Sequence, residues 1–348
     1  MSQETEMALP DDAHRLARRS DDLSARGQFA LAEPVARRAL RATRRVAGLQ
    51  DPAMADAHRR LGTILFHIGK VSEAQRVLHR ALRIYNTGPR YVQDTVALLD
   101  LLAQVALSLG NAAAAANYAE KALELLYALT DADPPKLSAA WHRLAEAYAE
   151  AGDDRRARGA IEESATLEVK AFGPDHPRTL KTLTRLATLM ERSGSPTAAR
   201  ELFEAIVETR DRVFGPHDPN LVEPLEQLAT LSSKEGLFET AQGYVVRLVK
   251  LEEKLLGLHH PAVMARLNQL AILTAKGGDD DGARTIFDRA LTRLERAPTA
   301  HCPTVDAVVS NLSGLLRRAG DERSLRELWR RALDLQERAE RQPPFPTA

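Results

Sequence analysis

The chain predicts an all-α fold, an α-solenoid of about eight helix-turn-helix units, on three observations. The hexapeptide Phe172-Gly173-Pro174-Asp175-His176-Pro177 returns 42 residues later as Phe214-Gly215-Pro216-His217-Asp218-Pro219. Further steps of 42 give Leu256-Gly257-Leu258-His259-His260-Pro261 and Pro298-Thr299-Ala300-His301-Cys302-Pro303. Glycines stand at Gly27, Gly69, Gly110, Gly152, Gly194, Gly236, Gly278 and Gly320, at spacings of 42 or 41. Around them the pattern is fixed: alanine five residues after each glycine up to Ala283 and then Leu325, leucine eight before from Leu61 to Leu312, and a small residue seven before from Gly62 to Ser313. Punctuation recurring at one period marks stacked units, each touching only its neighbours.

Each unit reads as a helix, a tight glycine turn and a second helix. Glycine is needed where the chain leaves the first helix with positive φ. The small residues on the first helix and the alanines on the second let the two backbones approach. A larger residue nine after the glycine (Leu78, Ile161, Phe203, Val245, Phe287, Trp329) fills the other side of the contact. These offsets suit a helix and not a strand of period two.

Unit 1 is expected at 11–26 and 28–47, opened by Asp11 or Asp12 as N-cap. Unit 2 is expected at 52–68 and 71–86, with Asp51 as cap and Pro52 at the first helical position. Unit 3 spans 90–109 and 112–130 after the shorter turn Asn86-Thr87-Gly88-Pro89, and unit 4 spans 135–151 and 154–171. Units 5, 6 and 7 start at Pro177, Pro219 and Pro261, and unit 8 spans 303–319 and 322–340. One superhelix over 11–340 is expected, with disorder at 1–10 and in the proline-rich tail 341–348. Unit 1 departs most from the pattern, with Arg19 and Ser20 where later units have leucine and a small residue, which suits a terminal cap. The last helix ends the stack while carrying Leu325, Leu328, Trp329, Leu333 and Leu335, so any exposed remainder is a candidate homodimer surface.

Composition excludes several classes. Lysine plus arginine equals aspartate plus glutamate, 48 against 48 in 348 residues, which argues against a nucleic-acid partner and against a membrane surface. The single Cys302 allows no disulfide framework. The polar start Met1-Ser2-Gln3-Glu4-Thr5-Glu6 is unlike a secretory signal, and no apolar run approaches the roughly 20 residues a membrane span needs. A soluble, cytoplasmic protein is expected, and the sequon Asn311-Leu312-Ser313 is read as chance.

The residues carry a family resemblance. Trp141-His142-Arg143-Leu144-Ala145, followed by Ala151-Gly152-Asp153 and Ala157, resembles the tetratricopeptide repeat, in which Trp, Leu, a small residue, Gly and Ala follow at these offsets. The 42-residue period and the Gly-x-x-His-Pro turn resemble the kinesin-light-chain subtype. The resemblance covers about 13–340. It implies a right-handed α-solenoid and a protein-protein interaction scaffold whose first helices line a concave groove.

Nothing in the sequence points to catalysis. It contains no His-Glu-x-x-His, Gly-x-Ser-x-Gly or phosphate-binding glycine loop, and no enzyme activity or cofactor is expected. His217, His259 and His301 fall in register, as do His176, Asp218, His260 and Cys302. Stacked turns lie about 8–10 Å apart, whereas zinc needs ligands about 2 Å from one centre. The registered Asp and His are therefore read as helix caps, and no metal is expected.

The resemblance places one groove position just before the conserved leucine, occupied here by Arg60, Leu101, Arg143, Arg185, Gln227, Gln269 and Asn311. In the subtype that place is commonly Asn, which can bond a peptide backbone through donor and acceptor. Asn311 keeps it, Gln227 and Gln269 are close substitutes, and Arg60, Arg143 and Arg185 depart towards carboxylate recognition. Neighbouring positions add Arg59, His142, Lys181 and Asn268, while Asp56, Asp100, Glu146, Glu150, Glu191, Glu223 and Glu226 oppose them on nominally the same face. The strongest cationic cluster is His142, Arg143, Lys181 and Arg185, for which an acidic peptide is the candidate ligand. A solvated face of intramolecular ion pairs explains the same charges. At the level of the whole protein, the alternatives are a regulatory or sensor subunit of a separate ATPase, protease or transcription factor, an RNA binder, and an architectural homo-oligomer.

Overall fold

Sixteen α-helices run through the described residues in consecutive pairs, with no strand among them. The computed structural model describes residues 11–48, 50–85, 91–129, 133–296 and 303–341. The pairs are α1 (Asp11–Ala25) with α2 (Phe29–Val46), α3 (Pro52–His67) with α4 (Val71–Tyr85), and α5 (Val92–Ser108) with α6 (Ala112–Tyr127). There follow α7 (Pro134–Glu150) with α8 (Asp154–Phe172), α9 (Pro177–Arg192) with α10 (Pro196–Phe214), and α11 (Val222–Lys234) with α12 (Phe238–Leu256). The last are α13 (Pro261–Lys276) with α14 (Asp280–Arg296) and α15 (Pro303–Arg318) with α16 (Glu322–Arg341). Boundaries fall within a residue or three of those expected, and Arg341, assigned above to the tail, is the last residue of α16. The entry turn 86–89, His301-Cys302, and residues 1–10 and 342–348 lie outside the described residues.

Contacts divide the chain into two compact units, Met1–Leu189 and Met190–Ala348. In the first, α2 packs on α3 and α4 on α5, with a core that includes Leu61, Leu65, Leu78, Tyr85, Leu98 and Leu102. In the second, α12 packs on α13 and α14 on α15, around Val245, Met264, Leu267, Phe287, Leu291 and Leu312. No described helix is long and apolar enough to cross a membrane.

The repeat rules are visible in the packing. All eight turn glycines have φ between 69° and 92°, a region that costs a side-chain-bearing residue strain. The registered alanines, leucines and small residues are buried throughout. Gly62 shows why one is small: a Cβ there would lie 2.3 Å from Leu78 Cδ2 and 2.5 Å from its Cγ. Leu78 is itself fully buried and has little room to turn away. Gly62→Ala should therefore destabilise by about 1–3 kcal/mol despite alanine's better helix propensity. Combined with Leu78→Ala, its loss should be less than the sum of the two single losses, which chemical denaturation of the four proteins would check.

Of the described turn residues in register, those directly before a helix's proline are caps, whereas His259, one place earlier, lies 3.3 Å from the carbonyl of Arg293. Asp51 accepts from the N–H of Ala53 at 2.8 Å, His176 Nδ1 accepts from Arg178 at 3.2 Å, and His260 Nδ1 accepts from Ala262 at 3.2 Å. In unit 6 the helix does not start at Pro219 as expected; a 3-10 turn over Pro219–Leu221 precedes α11. Pro224 has no N–H to donate to Asn220, so an α-helix from Pro219 would lack that bond and crowd the carbonyl.

Candidate functional site

The candidate residues lie on the first helices, six in the first unit and four in the second. Most are engaged by partners about one repeat away. Arg60 Nε donates to Asp21 Oδ1 at 2.6 Å, joining α3 to α1. Arg143 Nε donates to Asp100 Oδ1 at 2.9 Å, joining α7 to α5, and Arg143 also pairs with Glu146. Arg185 Nη1 donates to Glu146 Oε1 at 3.0 Å and lies 3.3 Å from His142 Nε2, joining α9 to α7. Since arginine can only donate, His142 Nε2 is the acceptor there. Burial, first, and then the positive Arg185 push the His142 pKa down, which keeps the ring neutral at pH 7.

Arg59 stands apart from that cluster. It lies 3.6 Å from Asp56, whose carboxylate also accepts from Tyr85 Oη at 2.6 Å. In the second unit the amides bond each other: Asn311 Nδ2 donates to Asn268 Oδ1 at 3.0 Å, and Gln269 Oε1 accepts from Arg266 at 3.3 Å. Gln227 is half-buried beside Glu226, which takes two bonds from Arg266 at 2.8 and 3.0 Å. Lys181 is exposed on α9. The structure thus gathers His142, Arg143 and Arg185 with Asp100 and Glu146, and their charges are matched within the chain.

Sequence reasoning missed an opening beside this cluster. A cleft of about 320 Å³ lies between α5, α6 and α7. Its floor is made of the buried Ala119, Ala122 and Ala140, its walls include the exposed Ala97 and Ala139, and its rim carries Asp94, Lys136 and Arg143. The cause is local: α6 presents Ala119 and Ala122 to the cleft, and alanines at 97 and 139 on the neighbouring helices leave space no side chain fills. Lys136 Nζ donates to neutral Gln93 Oε1 at 2.6 Å, so that bond leaves its charge uncompensated. Ala97, Ala139 and Lys181 share one register, 42 residues apart, on α5, α7 and α9. That shared register was the available signal. In the second unit Asn311 lines a separate opening of about 500 Å³ with Lys276 and Arg318.

Comparison with known proteins agrees with this architecture. The tetratricopeptide repeat profile matches residues 12–87, 54–128 and 136–212. No curated protein sequence matches the chain. Among solved structures, the chain is similar to BtubC (BKLC) from P. vanneervenii, at 20% identity over 64% of this chain and 89% of that one, with a TM-score of 0.54. It is similar to a putative kinesin light chain from Podosopora anserina, at 21% identity over 60% of this chain and 99% of that one, with a TM-score of 0.50. It is also similar to a signal-transduction ATPase with a tetratricopeptide repeat sensor from Pyrococcus horikoshii, at 12% identity and a TM-score of 0.62, over 94% of this chain and 48% of that one. At these identities the structures share the fold. With the profile matching more than half of its residues in the register of its glycine turns, the chain belongs to the tetratricopeptide repeat family.

Proposed function

We propose that this protein is a non-catalytic scaffold that binds a peptide segment of a partner protein along the first helices of its repeats. The observation that carries the reading is the alanine-floored cleft between α5, α6 and α7, a preformed apolar recess with charges at its rim. The partner segment seats an apolar side chain in that recess and directs a carboxylate towards Lys136 and Lys181. Arg143 and Arg185 contribute less than their charges suggest, because Asp100 and Glu146 already hold them. An exposed lysine paired only with a neutral amide keeps its attraction for an incoming anion. A preformed surface of this kind binds through many modest contacts.

A second reading, a sensor subunit acting on a separate effector, is favoured by the similarity to the Pyrococcus horikoshii ATPase, whose repeats are described as its sensor. Co-purification of an ATPase that loses regulation with the same cleft variant would support it.

The test uses an exposed wall residue, so the fold is spared. Ala139→Phe fills the recess from α7, and Ala139 is exposed. Peptides selected by the full chain from a random displayed library should bind this variant at least about 10-fold more weakly, the loss of one good anchor, with helical content unchanged. Equal binding by both proteins would remove the cleft from the site.

A further inference from the structure

We propose that two copies of this chain associate through the face formed by α15 and α16, about a two-fold axis. The observation is one of register. Phe203, Val245 and Phe287 hold the same place in successive repeats, as do Val207, Val249 and Leu291, and all six are buried. Phe287 and Leu291 share a cluster with Val308, Val309 and Leu312 of α15, so the following first helix covers them. In the last repeat the equivalents are Trp329 and Leu333, which are 51% and 56% exposed. They flank an open groove of about 480 Å³ that also takes in Val305 and Val309. Solvent-exposed helix positions are ordinarily polar. The eighth repeat has a tryptophan and a leucine there, and the groove they flank corresponds to the place that α15 fills beside Phe287 and Leu291. Leu335, also singled out from sequence, packs against the core instead.

The charges around the patch select the occupant. Along α16 the exposed Arg323, Arg326 and Arg330 outnumber the exposed Glu322 and Glu327 on the N-terminal side of Leu333, and the exposed Asp334 follows it on the C-terminal side. A second copy running antiparallel brings its Asp334 towards these arginines and its arginines towards this Asp334. On α15 the groove carries Asp306 near one end and Arg317 near the other, which reversal also pairs. Such self-complementarity is what an isologous interface requires. Head-to-tail stacking on α1 fits poorly, because its exposed polar residues are Asp12, His14, Arg15, Arg18, Arg19, Asp21 and Asp22, which would be buried against Trp329. The tryptophan has the size and place of an interface anchor.

Sedimentation equilibrium of the full chain over a range of concentrations tests this. The expected mass is twice the 38.3 kDa of one chain. Leu333→Glu, at an exposed site, should give a folded monomer, and Trp329→Ala should weaken the dimer at least about 30-fold. Arg326→Glu/Arg330→Glu and Asp334→Arg should each weaken the dimer alone and form a mixed dimer when combined. A chain monomeric at every concentration, a mass indifferent to Leu333→Glu, or assembly beyond the dimer would overturn the proposal. So would a monomer that dimerises only when residues 342–348 are removed, since that places the chain's own tail on the face.

Discussion

Phe287→Ala is expected to destabilise the protein by about 3–5 kcal/mol, whereas Trp329→Ala, the same place one repeat later, should cost less than about 1 kcal/mol in the isolated chain. Phe287 sits on α14 among Val308, Val309 and Leu312, and truncating it leaves a cavity enclosed by two helix pairs. The surroundings relax only partly, so the cavity adds to the lost transfer free energy. Trp329 is 51% exposed, so its truncation removes contacts on one side only. The measurement is urea denaturation of both variants in a Leu333→Glu background, where self-association does not add to stability. Because repeats couple chiefly to their neighbours, hydrogen exchange should show the Phe287→Ala loss concentrated in α13 to α16. Equal losses at the two positions would mean that Trp329 is covered within the chain.

Arg210→Ala should cost about 3–5 kcal/mol, because it strands a buried carboxylate. Arg210 Nη1 donates to Asp218 Oδ2 at 2.8 Å, and the two side chains are 4% and 6% exposed. Asp218 also caps the entry to unit 6, accepting from Asn220 N–H at 3.0 Å and from its side-chain amide at 2.8 Å. Burial disfavours the charged carboxyl, but these bonds and Arg210 outweigh it and hold the Asp218 pKa below its ordinary value. The sign follows: a carboxyl depressed in the folded state contributes stability above its unfolded pKa of about 3.9, which is lost as pH falls below that value through the folded one. Acid unfolding followed by circular dichroism should therefore be less steep below about pH 4 in Asp218→Asn than in wild type. Arg210→Met/Asp218→Asn should cost less than the sum of its parts, since neither charge is then left alone.

This pair also shows where the sequence was legible and where it was not. Glycine at φ > 0, alanine at the helix contact and leucine beside it follow from backbone geometry that every repeat shares, so one period exposes them all. Arg210 occupies a place held by Leu126 and Leu294 in other repeats and by Glu168 and Glu252 in its neighbours. A charge in an apolar register is a readable signal of a buried partner. The partner is not readable, because it differs each time: Glu168 takes Arg178 and Ser138, Arg210 takes Asp218, and Glu252 takes Arg266.

The groove residues divide in the same way. Position along the first helices could be read from the repeat, and the structure does gather His142, Arg143 and Arg185. Their engagement could not be read from one helix at a time. Arg143 meets Asp100 across 43 residues and Arg185 meets Glu146 across 39, one repeat displaced by a residue or a helical turn. Lys136 escaped notice because its position lies outside the register that draws attention to groove residues, and the cleft because alanine is conspicuous only when its neighbours are alanine too.

Amide hydrogen exchange on the full chain, with and without a peptide selected from a random library, tests the proposed binding face most directly. The expected result is added protection in α5 and α7, residues 92–108 and 134–150, that disappears in Ala139→Phe. Protection confined to the turns at 173–177, 215–219 and 257–261, with α5 and α7 unchanged, would contradict it.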